Sequence, residues 1–125
     1  MLLNKISKII NTVNNLLSAN KALNFYKNKA LHKHASSLSK NKYLINTQIF
    51  SEEAEEIIFK SFSDILSLVS GTYYPPRSKK IINLINRVKK AKFNKSTLGG
   101  CVIEKKDSNI LISTELKVRK MHFQP

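Results

Sequence analysis

One cysteine, three glycines, three prolines and no tryptophan occur in 125 residues. A single cysteine excludes an intrachain disulfide framework and a cysteine-rich zinc module. Acids are also scarce: eight Asp and Glu stand against 22 Lys and Arg, a formal charge of +14. The longest apolar runs, such as Ile57-Ile58-Phe59, are three residues, so nothing in the sequence reads as a span of a bilayer. A chain of this length suits one compact domain or a piece of something larger. Its hydrophobic content of 42% is near the globular average and argues against wholesale disorder. A basic surplus of this size points to an anionic partner, nucleic acid first and an anionic membrane surface second.

The charge is blocked along the chain. Residues 1–51 hold eight lysines and no acid, whereas residues 52–64 carry Glu52, Glu53, Glu55, Glu56 and Asp64 against Lys60. Residues 65–103 hold eight bases and no acid, from Arg77 to Lys95. Only three of the 22 bases are arginine. With abundant Asn and Ile, that bias matches AT-rich codon usage, so part of the charge is background.

Apolar residues Leu2, Leu3, Ile6, Ile9, Ile10, Val13, Leu16 and Leu17 recur at steps of three and four, the spacing of a helix stripe. A second helical stretch through Ala22, Leu23, Tyr26, Ala30 and Leu31 follows, with a break expected near Ser18–Asn20. Burial of Leu3, Ile6, Ile10, Val13 and Leu17 in a bundle is the ordinary reading of the first stripe; a basic helix lying on an anionic membrane is the alternative. An organellar presequence favours Arg, and residues 1–51 contain none. Ser36–Asn41 reads as a linker, and Tyr43-Leu44-Ile45 with Ile49 and Phe50 as a short extended segment.

The next helix is the best marked. Ser51 is a candidate cap, and Glu52 to Glu56 place negative charge at its start, where the helix dipole favours it. Ile58, Phe62, Ile65, Leu66 and Val69 form its apolar stripe, and Gly71 is a natural stop. Pro75 and Pro76 forbid continuation. Pro76 or Ser78 then opens a basic helix with Ile81, Ile82, Leu84, Ile85 and Val88 apolar. Past Lys95 the texture turns to strand. Thr97–Ile103 and Ile110–Thr114 flank Lys105–Asn109 as a β-hairpin. The expected fold is therefore mainly α: a small helical bundle over residues 1–95, a C-terminal β-hairpin over 96–115, and a poorly anchored tail over 116–125.

No catalytic constellation is legible. His32 and His34 are two apart and point to different sides of a helix, so they are not expected to bind metal; polar residues on an exposed, lysine-rich helix are the favoured reading. Cys101 has no neighbouring base and sits in a β-branched stretch, as a small buried hydrophobe does. Gly99-Gly100 lacks the Lys-Ser/Thr of a P-loop and the spacing of a dinucleotide fingerprint; it suits a bulge or close backbone approach. Neither cofactor nor metal is expected. The suggestive group is Tyr73 and Tyr74 followed by Arg77, Lys79, Lys80, Arg87, Lys89 and Lys90. Such bases gain affinity by neutralising phosphates, and aromatics stack on unpaired bases. A solvated helix face with packed tyrosines is the competing reading.

Gly71-Thr72-Tyr73-Tyr74-Pro75-Pro76-Arg77, the basic helix after it, and Ser96-Thr97-Leu98-Gly99-Gly100-Cys101-Val102-Ile103-Glu104-Lys105-Lys106 together resemble tRNA(Ile)-lysidine synthases of the proteobacterial type. The resemblance is strongest over residues 65–115. Two departures stand out: Thr114-Glu115 replaces a usual Arg-Glu, and Glu52 to Glu56 lie where that family often carries Arg. The family adenylates a wobble cytidine of isoleucine tRNA and joins lysine to it, using an N-terminal PP-loop domain with a Ser-Gly-Gly-x-Asp-Ser signature. This chain has no counterpart of that signature. The resemblance implies a non-catalytic, tRNA-binding middle segment in a cytoplasmic setting, beside a separate PP-loop polypeptide or as the remnant of a split gene. A structural remnant without activity and a basic peripheral membrane protein are the alternatives.

Overall fold

The computed structural model describes residues 2–72 and 74–115. No Gly or Pro occurs before Gly71. The first helix, α1 (Leu2–His34), accordingly runs unbroken for 33 residues through the expected break at Ser18–Asn20, a length of roughly 50 Å. A hairpin follows, β1 (Ala35–Ser39) and β2 (Lys42–Asn46), then a single turn α2 (Ile49–Glu52) and two longer helices, α3 (Glu55–Ser70) and α4 (Ser78–Val88). Strands β3 (Lys95–Leu98), β4 (Cys101–Lys106) and β5 (Asn109–Thr114) complete one antiparallel sheet in the order β1-β2-β5-β4-β3.

A helical bundle with a terminal hairpin is therefore not what forms. The described residues are 56% helix and 23% strand, with a five-stranded sheet. Two features hid it. The serines of the expected linker become edge strand β1 by pairing with β2, and β2 pairs in turn with β5, Ile45 opposite Ile110. That pairing joins residues far apart in sequence, beyond the reach of local periodicity. Gly99 and Gly100 both adopt positive φ, 59° and 82°, and form a two-residue turn that splits the expected Thr97–Ile103 strand into β3 and β4. Left-handed geometry at both central residues matches the twist of the flanking strands.

The core lies between one face of the sheet and α3 with α4. Ile45, Cys101, Ile103, Ile110 and Ile112 are fully buried, and Ile103 faces Ile112 across β4 and β5. Alternate residues Val102 and Leu111 point to the other face and are half-buried. Against this layer α3 sets Ile58, Phe62, Ile65, Leu66 and Val69, and α4 sets Ile81, Leu84, Ile85 and Val88. Phe62 is wholly enclosed and stacks on Phe50 at 5.9 Å. Truncating such a ring costs ~3–5 kcal/mol, a large share of a typical domain's stability.

Other local expectations also shift. Ile49 and Phe50 belong to helix α2, not to an extended segment. Ser51 does not cap α3; its hydroxyl donates to the Gln48 carbonyl, and Ala54 in extended geometry begins the helix. Glu55 and Glu56 lie in its first turn, and Gly71 ends it in the left-handed conformation (φ 74°). Ile82 of α4 is exposed. The largest departure concerns α1. Ile6, Ile10, Val13 and Leu17 are not buried in a bundle but stand exposed, and every residue from Asn4 to Ala22 is exposed. The side chain of Leu3 and the tail 116–125 lie outside the described residues.

Candidate nucleic-acid interface

Helix α4 is amphipathic with a one-sided apolar stripe, so its bases are forced outward. At 3.6 residues per turn they do not share one direction. Lys80, Asn83 and Arg87, at i, i+3 and i+7, line a cleft of about 200 Å³ whose other wall is Ser96, Thr97 and Leu98 of β3. Among the described residues β3 is an edge strand, paired in the sheet on one side only. Lys79 and Lys90 are exposed on the outer surface. Lys89 faces the opposite flank, where its ammonium lies 5.7 Å from the Phe50 ring centroid. Arg87 lies 5.9 Å from the centroid of Phe93, which steadies the guanidinium at the cleft.

The turn before α4 is fixed to the sheet. Arg77 is the extended residue before the first turn of the helix and accepts hydrogen bonds from Lys80 and Ile81 at its carbonyl. A Cβ at Gly99 would lie 2.7 Å from Pro76 Cγ, so the Pro75-Pro76 turn and the Gly99-Gly100 turn meet, and only glycine fits at the contact. Gly71-to-Arg77 and Leu98-to-Cys101, separate along the chain, thus form one corner at the start of α4. Tyr74 is 80% exposed there, its carbonyl accepting from the Thr72 hydroxyl at 3.1 Å. Tyr73 lies outside the described residues. The structure therefore gathers Lys80 and Arg87 in the cleft, leaves Lys79 and Lys90 exposed outside its lining, and places Lys89 over Phe50.

Several contributors carry no sequence signal as functional residues. Asn83, Ser96 and Thr97 join the cleft only because β3 returns beside α4. The helical spacing of Lys80, Asn83 and Arg87 was available in the sequence; the opposing wall was not. Lys105, expected in a hairpin turn, lies in β4 and donates to the carbonyls of Val88 at 3.0 Å and Lys90 at 3.3 Å. There it caps the C-terminal end of α4, where the helix dipole favours a cation. Its charge serves the fold.

Elsewhere, the expectation of two exposed histidines is half overturned. His32 is exposed. His34 is buried, its Nε2–H donating to Glu53 Oε2 at 3.1 Å with Glu52 Oε1 at 3.5 Å. Helix α1 ends against α2, which brings the ring to carboxylates distant in sequence. The three ligand atoms are close enough to bridge a cation, all within 4.8 Å. Lys33 at 2.7 Å from Glu52 already supplies a positive charge. Its hydrogen bond, first, and its charge hold the Glu52 carboxyl below the usual value, and the same contact raises the Lys33 ammonium. Together with the Lys27–Asp64 pair, this cluster fastens the C-terminal third of α1 to α2 and α3.

Cys101 is wholly buried, its thiol donating to the Leu66 carbonyl at 3.4 Å. Burial, with the Glu115 charge as a smaller cause, pushes the thiol up to about 11. A nucleophile needs the opposite shift. Among the described residues no helix is long and apolar enough to cross a membrane. The chain matches no protein-family model, no curated protein and no solved structure.

Proposed function

We propose that the chain is a non-catalytic RNA-binding segment that holds a phosphate backbone along α4 and β3, with tRNA as the RNA that the lysidine-synthase resemblance implies. The observation that carries the reading is the Lys80–Arg87 cleft: two cations on one flank of α4, faced by strand β3, with Lys79 and Lys90 also exposed on the same basic segment. No acid occurs in residues 65–103 to oppose them. Exposed Tyr74 at the head of the helix offers a stacking face for an unpaired base. In this reading the segment works in the cytoplasm, and any ATP-dependent ligation belongs to a separate PP-loop polypeptide. Electrophoretic shifts with tRNA over a salt series test it. Binding that weakens steeply with salt is expected; no binding at low salt, or salt-independent binding, would end the proposal.

A further inference from the structure

The exposed two-thirds of α1 and a groove elsewhere on the same chain are complementary. Ile6, Ile9, Ile10, Val13, Leu16 and Leu17 present a continuous apolar stripe, Ile9 and Leu16 more than 60% exposed. Such a stripe is larger than isolated surface leucines and marks a contact. From Ile9 to Asn20 there is no charged residue, and the polar positions are Asn, Thr and Ser. Helices that lie on membranes carry a strongly charged polar face; residues 4–20 contain only Lys5 and Lys8. The neutral face instead lets two identical helices approach without like-charge repulsion.

Where α1 reaches the body of the molecule, Leu23 becomes one wall of an apolar groove floored by Phe59 and Ile82. The groove continues between α3 and α4, as cavities of about 600 and 300 Å³ that share Glu55, Phe59 and Ile82. Glu55, Glu56 and Lys60 are its charged lining residues, in the same cavity as Leu23. Neither glutamate has an ion pair among the described residues, whereas Glu52, Glu53 and Asp64 are engaged by α1. Stripe and groove are continuous at Leu23. Among the described residues, Lys5 and Lys8 at the start of the stripe have no ion pair, nor do Glu55 and Glu56 on the rim of the groove.

We infer that the chain forms a two-fold dimer in which the α1 helices cross antiparallel near Val13. The N-terminal part of each α1 then runs toward the partner's α3–α4 groove. Antiparallel crossing sets Ile9 and Ile10 against Leu16 and Leu17 of the other copy. It also carries Lys5 and Lys8 toward the Glu55–Glu56 rim. The stripe meets the partner's stripe, the lysine end of each α1 meets the partner's rim, and the two-fold repeats both contacts, so the assembly closes at two chains.

Light scattering and sedimentation equilibrium on the full chain should give twice the monomer mass of 14.3 kDa. Val13→Asp should yield monomers with unchanged circular dichroism, because every residue from Asn4 to Ala22 is exposed. Glu55→Lys with Glu56→Lys should weaken association about tenfold or more, as like charges oppose each other across the contact. Lys5→Glu with Lys8→Glu should do the same, and combining all four should restore the dimer. A monomer at every concentration overturns the inference, including one that floats with anionic vesicles or dimerises only with another protein. A dimer indifferent to Glu55 and Glu56 also overturns it, since the groove would then be unused.

Discussion

The division of the basic residues between the two flanks of α4 makes the RNA reading quantitative. Lys80 and Arg87 line the cleft, Lys79 and Lys90 are exposed outside its lining, and Lys89 sits over Phe50. Each phosphate neutralised on a single strand contributes ~0.7 to the slope of log affinity against log salt, so four cations give a slope of about −3. Raising salt from about 50 to 200 mM should then weaken binding roughly 50-fold. Replacing both Lys80 and Arg87 with alanine should halve the slope to about −1.4, leaving a roughly sevenfold loss over the same range. Replacing Lys89 should leave it unchanged. All these side chains are exposed, so the variants should keep the wild-type melting temperature. Fluorescence anisotropy with a labelled tRNA at several salt concentrations provides the measurement. An equal slope change for Lys89→Ala and Lys80→Ala would refute the assignment of the contact to the β3 side, because charge without position would suffice.

Three further outcomes follow from local geometry. Gly71→Ala and Gly99→Ala both force a left-handed alanine. Only Gly99 also drives a Cβ into Pro76, so chemical denaturation should show a loss of ~1 kcal/mol for Gly71→Ala and ~2–3 kcal/mol for Gly99→Ala; equal losses would contradict the Pro76 contact. With its thiol moved from 9.0 to about 11, Cys101 should form thiolate about 100-fold less at neutral pH and resist Ellman's reagent until the protein unfolds. The folded state holds that proton more tightly, so stability should fall as pH rises from 9.0 toward 11, by up to about 3 kcal/mol; a Cys101→Ala variant should lose that dependence. Lys33→Ala should let the Glu52 carboxyl titrate closer to its ordinary value, an upward move visible by carbon-detected NMR. An unmoved titration would show that the 2.7 Å pair is not maintained in solution.

The helices were legible where short-range physics controls them. The stripe Ile58, Phe62, Ile65, Leu66 and Val69 recurs at steps of three and four, and all five residues are buried. Gly71 and the Pro75-Pro76 pair ended α3 because positive φ and a missing N–H act locally. The hidden parts depend on partners. Ser36–Asn41 has no apolar alternation, since β1 is an edge strand whose residues are nearly all exposed. The stripe of α1 was as clear as that of α3, yet one is buried and the other is not. Periodicity says that a helix has an apolar face, not what stands opposite it.

The sequence by itself determined the apolar stripes of α3 and α4, the stop at Gly71, the basic character of α4 and the apolar face of α1. These depend on neighbours within a few positions, through propensity, capping and the 3.6-residue period. Only the tertiary structure decided that β2 joins β5 and that β3 lies beside Lys80 and Arg87. It also decided that Lys105 caps a helix and that His34 meets Glu53. Apart from Arg87 and β3, about ten positions apart, each of those contacts joins residues separated by 15 or more positions. Closing such loops costs chain entropy that only the assembled core offsets, so no local pattern announces them.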